Sequence, residues 1–285
     1  MTLDFRIRQL AVTQSSNDDA KRAAEAGEPA GLVIWALKQT GGKGRHGRTW
    51  ESPEGNLYMS ALLRPACDAR IAALYSFAAA LAVYNLVSES LSPHRGERVA
   101  IAHTNERWSG EGGVSGYRPI VPPHPNPLPL ERGEGNKNVA LKWPNDVLVD
   151  GKKIAGILLE SATANTGSIE WLVIGIGLNV AYHPEGGLYP ATSLAAQGAT
   201  TLAVPTILDR LLGHLGHWSE MLEKQGFSPL RAAWLEKAHK GRMTVRLPSG
   251  ALDGDFADLD SEGRLRLRLA DGTEQAIATG DVFFV

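Results

Sequence analysis

Hydrophobic and polar positions divide the first 240 residues into short elements of changing period. Phe5 to Val12 alternates loosely and predicts a first strand. Ser15-Ser16-Asn17-Asp18-Asp19 offers a cap and first-turn acids for a helix running to about Ala26, where Gly27 and Pro29 end it. Leu32 to Leu37 reads as a buried strand, Asn56 to Leu63 as a second, and Ala69 to Leu91 as one long apolar helix. Its greasiest stretch, Ile71 to Val87, is interrupted by Ser76 and Asn85, so a buried core helix is expected rather than a membrane span. Further on, Val139 to Trp143, Val147 to Val149, Lys153 to Leu159 and Trp171 to Val180 predict strands, with Asp150-Gly151 as a hairpin turn. Helices are expected over Pro205 to Lys224 and over Pro229 to Lys240, the latter capped by Ser228 with Pro229 at its first position.

From Met243 the period becomes two, in Met243-Val245-Leu247 and Leu265-Leu267-Leu269, and turn signals recur every ten residues or so. A small antiparallel barrel over 241–285 suits that pattern, and the boundary is placed near residue 240. One segment fits neither grammar. Gly110 to Asn136 holds six glycines and six prolines and is expected neither to pair in a sheet nor to continue a helix. Residues 94–138 are therefore read as a disordered or extended surface insertion.

Composition narrows the class. With 285 residues, 43% hydrophobic and 21% charged, the chain is an ordinary globular protein of about two domains, not a coiled coil or a disordered polymer. A net charge of −2 supplies no global field for nucleic acid or an anionic membrane. The single cysteine, Cys67, excludes an intramolecular disulfide and a multi-cysteine metal site. Nothing at the N-terminus resembles a signal peptide, so a soluble cytoplasmic protein is expected.

Chemistry concentrates in three stretches. Gln39-Thr40-Gly41-Gly42-Lys43-Gly44-Arg45-His46-Gly47-Arg48-Thr49-Trp50 is rich in glycine and cations, and no acid occurs between Ala30 and Trp50. Glycines let a backbone approach a ligand, and the cations neutralise oxyanions. The spacing is not that of a Walker A loop, and alone such a stretch reads equally as a solvated turn or a nucleic-acid contact. Lys142 follows three apolar residues in Lys142-Trp143-Pro144-Asn145-Asp146, so it either snorkels to water or meets a buried anion. Gly175-Ile176-Gly177-Leu178-Asn179 puts glycines inside a strand, which marks close approach of a ligand or of another backbone.

Taken in order with Ser15-Ser16-Asn17 and Lys153-Ile154-Ala155-Gly156-Ile157-Leu158-Leu159-Glu160, these stretches resemble the motif series of biotin protein ligases. The resemblance spans about residues 5 to 285 apart from the insertion. It implies an α+β catalytic domain, a mixed sheet with flanking helices, followed by a small SH3-like barrel. It also implies two steps: biotin and MgATP give biotinyl-5′-AMP, and a lysine of a biotin carboxyl carrier protein then takes the biotinyl group.

By the same resemblance Ser15, Ser16, Asn17 and Gln39 would bind the ureido head, although capping a helix explains Ser15 to Asn17 as well. Lys43, Gly44 and Arg45 would bind the biotin carboxylate and the acyl-phosphate, and Lys142 would bridge those two groups, making Arg45 and Lys142 the catalytic pair. Trp50 would form an aromatic wall, and Gly156, Gly175 and Gly177 would leave room for the bicyclic ring. ATP would draw on Lys43, Arg45, Arg48, Lys142 and Lys153, with Asn179 near the triphosphate and its magnesium; no direct metal cluster is expected.

Lys43 and His46 stand where the family commonly has arginine, which removes a bidentate fork. The pattern begins too early for a DNA-binding domain, so no nucleic-acid partner is expected. A lipoate- or octanoate-type ligase, a biotin-binding protein impaired by the insertion, and a nucleic-acid module are the competing readings.

Overall fold

The computed structural model describes residues 4–92, 115–116, 137–187, 189–199 and 203–284. Apart from 115–116 and 137–138, the expected disordered insertion at 94–138 lies outside the described residues. The chain opens with β1 (Arg6–Thr13), α1 (Ser16–Glu25), β2 (Leu32–Gln39) and β3 (Leu57–Leu63). Next come α2 (Ala69–Ala73), α3 (Tyr75–Leu91), β4 (Ser115–Gly116), β5 (Val139–Lys142), β6 (Asp146–Val149), β7 (Lys152–Thr163) and β8 (Ile169–Leu178). Helices α4 (Val204–Gln225) and α5 (Phe227–Lys237) lead into β9 (Arg242–Leu247), β10 (Gly250–Leu259), β11 (Leu265–Arg268), β12 (Glu274–Ile277) and β13 (Asp281–Phe284).

The large sheet runs β4-β1-β2-β3-β8-β7-β6-β5 and is mixed: β1 and β2 are parallel, and the other pairs are antiparallel. Both faces are covered, which is why its central strands read as continuous apolar runs. Leu32, Ile34, Leu62, Trp171 and Val173 pack with Ala20 and Ala24 of α1 on one face. The alternate residues Val33, Trp35, Met59, Ala61, Leu172 and Ile174 meet α3 and α4 on the other. The five remaining strands form an antiparallel sheet in the order β12-β11-β10-β9-β13, as the period-two pattern required.

Several expectations need correcting. The Ala69–Leu91 helix breaks at Leu74, whose N–H bonds Ile71 in a tight turn, giving α2 and α3. By length and composition this stretch could cross a membrane, but 67% of its most apolar window is buried in the protein. Ser228 does not cap α5. Gly226, left-handed at φ 75°, turns the chain so tightly that α5 starts at Phe227 and places Ser228 inside its first turn, and the helix ends at Lys237. The proline- and glycine-rich stretch does contribute pairing: Ser115–Gly116 bonds to Arg6 and Ile7, because this dipeptide precedes the first proline and keeps its N–H groups. The hairpin held, with Asp150 at φ 50° and Gly151 at φ 75° forming the left-handed pair that a two-residue turn demands.

Candidate active site

Strand register builds the floor of a cavity of about 260 Å³ on the α1 face of the sheet. Ser60 stands opposite Gly175, and Tyr58 opposite Gly177, with Gly156 on the next strand beside Gly177. The three glycines were expected to clear room for a bicyclic ring. All three line the cavity and lie against two protein side chains. A Cβ on Gly175 would fall 2.1 Å from Asn17 Oδ1, one on Gly177 2.6 Å from Trp50 Nε1, and one on Gly156 3.0 Å from the Trp50 ring. Trp50 thus lies flat against the floor as a wall of the cavity, and its buried Nε1–H finds no acceptor among the described residues.

The closed end is polar. Ser15 caps α1 by accepting from the Asp18 N–H, so the capping reading of this residue is realised in the fold. Ser16 donates its backbone N–H to Gln39 Oε1 at 2.8 Å, and Gln39 Nε2 donates to Ser52 at 2.9 Å. The Ser60 hydroxyl donates to Asn17 Oδ1 at 2.6 Å and sits 2.8 Å from the Ser16 hydroxyl. Asn17 Nδ2 donates to Glu160 at 2.8 Å. Ser15, Ser16, Asn17 and Ser60 are all buried, so donors and acceptors converge here in a low-dielectric setting.

Cations gather at the other end. Lys142 is 6% exposed, with Nζ 3.9 Å from the Tyr189 ring centre and 3.8 Å from Asp146 Oδ2. Burial brings its pKa down to about 8, and Asp146 only partly opposes this. Lys153 pairs with the other Asp146 oxygen at 2.6 Å and lies 5.2 Å from the Trp50 ring centre. The strand carrying Lys142 keeps a regular ladder to β6 back to Val139, the first strand residue after the proline-rich stretch.

The basic loop crosses above this floor through a short turn at Arg45–Gly47, with His46 and Gly47 left-handed at φ 55° and 72°. Its backbone is fixed by Gly44 N–H to the Arg48 carbonyl and Trp50 N–H to the Gly42 carbonyl. Arg45 donates to Asn145 Oδ1 at 3.3 Å, Thr279 Oγ1 at 2.9 Å and the Gly280 carbonyl at 3.4 Å, all uncharged. Burial pushes its pKa downward, with Asp281 and Asp146 in partial opposition. A half-buried guanidinium bonded only to neutral groups keeps its charge available to an anion.

The structure brings together every candidate binding and catalytic residue proposed from the sequence, but not all face the same way. Ser15, Ser16, Asn17, Gln39, Lys43, Gly44, Arg45, Arg48, Trp50, Lys142, Lys153, Gly156, Gly175, Gly177 and Asn179 all line the cavity. Lys43 and Arg48 are committed at its rim. Lys43 pairs with Asp18 at 2.6 Å, and Arg48 with Asp281 at 2.6 Å. Asn179 donates its amide to the Thr192 carbonyl at 3.0 Å, which anchors the following loop and leaves only its carbonyl oxygen to face a cation. No group of three or more metal-ligating side chains occurs among the described residues.

Sequence reasoning missed Ser60, Tyr189, Thr279, Gly280 and Asp281 as site residues. Ser60 had a signal, the one polar residue in Leu57-Tyr58-Met59-Ser60-Ala61-Leu62-Leu63 that forms a fully buried strand. The other four reach the site only through tertiary packing.

The family model described as the biotin/lipoate A/B protein ligase family matches residues 10–179, a second of the same description matches 134–236, and the biotin protein ligase C-terminal domain matches 242–285. A biotin–[acetyl-CoA-carboxylase] ligase of Paracoccus denitrificans is 32% identical over 282 residues, covering 96% of this chain and 99% of that one. One from Mycobacterium tuberculosis is 32% identical over 281 residues, covering 96% and 86%. Among solved structures, a biotin protein ligase from Aquifex aeolicus in complex with biotin and ATP superposes with a TM-score of 0.67 at 21% identity, covering 97% of each chain, which shows a shared fold. The chain belongs to the biotin/lipoate protein ligase family and carries that family's biotin-ligase C-terminal domain.

Proposed function

We propose that this protein is an ATP-dependent biotin protein ligase acting on the biotin carboxyl carrier of acetyl-CoA carboxylase. In the first step an oxygen of the biotin carboxylate attacks the α-phosphorus of ATP and pyrophosphate leaves, giving biotinyl-5′-AMP. In the second a carrier lysine amine attacks the acyl carbon, AMP leaves, and an amide forms. The observation that carries the reading is one cavity with a hydrogen-bonding end and a cationic end built around the buried Lys142. A ureido group needs both donors and acceptors, which Ser16, Asn17 and Gln39 offer, with Ser60 holding Ser16 and Asn17 from behind. A lipoyl or octanoyl chain would leave those polar groups unmatched, at a cost that disfavours it.

Arg45, Lys142 and Lys153 would draw carboxylate and α-phosphate together against their mutual repulsion and stabilise the charge-dense transition state. Trp50 would cover the acyl chain, and Asn179 would meet the triphosphate and its magnesium. The carrier identity, a cytoplasmic location and the absence of nucleic-acid or membrane partners belong to this same proposal. The names of the relatives support the carrier identity, and the expectation of no nucleic-acid or membrane partner rests on the net charge of −2. The test is biotin-dependent exchange of pyrophosphate into ATP. Lys142→Ala is expected to lower its turnover by about 100- to 1,000-fold; normal exchange in that variant would remove Lys142 from the chemistry.

A further inference from the structure

Asp18 stands in the first turn of α1, yet the helix does not need it there. Ser15 already caps the helix, and Asp19 supplies a first-turn acid, bonded to Thr13 and Arg22. Asp18 instead directs both carboxylate oxygens at cations. Lys43 Nζ lies 2.8 Å from Oδ1 and 2.6 Å from Oδ2, and Lys21 Nζ lies 3.0 Å from Oδ1. Lys21 continues to Glu160 Oε1 at 2.7 Å, and Glu160 Oε2 accepts from Asn17 Nδ2 at 2.8 Å. Asn17 closes the chain on Ser60 at 2.6 Å. An unbroken run of alternating charges therefore joins the basic loop to the polar end of the cavity.

We propose that Asp18 is a positioning residue for ligation: it pins Lys43, and with it the basic loop, to α1, and through Lys21 and Glu160 it ties the order of that loop to the orientation of Asn17. The proposal rests on the biotin-ligase reading for its chemistry. A ureido group bound at Asn17 would settle the Asn17–Glu160 bond, and the same brace would hold Lys43 at the rim, keeping the loop over a water-labile acyl adenylate. A lysine serves this purpose because its compact point charge can sit on one carboxylate without the planar fork that an arginine would have to accommodate.

The test compares wild type, Asp18→Asn, Asp18→Glu, Lys43→Met and the Asp18→Asn/Lys43→Met double variant. Three quantities are read: the biotin KM in pyrophosphate exchange, the release rate of biotinyl-5′-AMP, and amide hydrogen exchange over residues 40–49. Asp18→Asn is expected to raise KM and adenylate release by about three- to fivefold, the size of a partly exposed charge pair, with kcat nearly unchanged. Amides 40–49 should exchange faster even without ligand. Asp18→Glu should restore most of each effect, and the double variant should be no worse than Lys43→Met alone. A lower melting temperature with unchanged KM and unchanged loop exchange would reduce Asp18 to a helix-stabilising residue, and additive effects in the double variant would sever it from Lys43. The ligand-free exchange reads the clamp without substrate, so wild-type protein unresponsive to biotin would overturn the functional reading while this arm still decides the clamp.

Discussion

Lys142 enters the protein interior on an otherwise apolar strand, and its charge is held there by the Tyr189 ring and Asp146 rather than by water. With its pKa lowered to about 8 from an ordinary 10.5, the folded chain binds fewer protons than the unfolded chain between those values. Stability referable to Lys142 therefore rises with pH across about pH 8 to 10.5, and below that window the buried charge is a standing cost. The melting-temperature advantage of Lys142→Met over wild type should shrink from pH 7 to pH 10, as followed by thermal denaturation. Adenylation should also decline above about pH 8 as the ammonium discharges, and Lys142→Arg should move that alkaline limb upward. A limb that stays put would mean another group titrates. Gly175 makes a steric prediction at the same scale: Gly175→Ala should displace Asn17 and raise the biotin KM at least tenfold, because the added Cβ meets Asn17 Oδ1 at 2.1 Å. An unchanged KM in steady-state exchange would show that Asn17 does not touch the substrate.

Local chemistry was readable where it is written in one stretch of chain. The loop 39–50, Lys142 and the strand glycines all reach one cavity, because glycine and buried lysine are anomalous in strands whatever surrounds them. Direction was not readable. Whether Lys43 faces the cavity or Asp18 depends on where α1 lies, and Arg48 meets an acid 233 residues away. Among the elements, strand and helix existence followed from periodicity, whereas the break at Leu74 and the start of α5 at Phe227 depend on turn geometry that apolar patterning does not carry. The β12–β13 connection and the start of β13 lie against the loop. Arg45 reaches Thr279 and Gly280, and Arg48 pairs with Asp281, so the C-terminal sheet contacts the loop at residues other than the Lys43 that Asp18 holds. Asp281→Asn should release biotinyl-5′-AMP about two- to fivefold faster, measured by trapping free adenylate, with Tm changed little. An unchanged release rate would make the pair ornamental to retention.

At the scale of the molecule, the two sheets are joined through the Lys142–Asp146 stretch itself. Trp143 follows Lys142, and its buried indole N–H donates to the Gly263 carbonyl at 3.0 Å. Tyr189, whose ring faces Lys142, stacks on Phe283 at 5.0 Å. Gly263 in turn fits against Phe77 so closely that a Cβ would fall 2.6 Å from its ring. Trp143→Phe should therefore cost about 1 kcal/mol in denaturant unfolding, the worth of one buried hydrogen bond, and should lower adenylation through Lys142 as well. The central claim remains that the polar end of the cavity selects a ureido-bearing acid for activation at the cationic end. Pyrophosphate–ATP exchange run with biotin, lipoate and octanoate side by side tests it most directly. Exchange driven by biotin with little response to the other two is the expected result; exchange driven by lipoate or octanoate, with biotin inert, would contradict it.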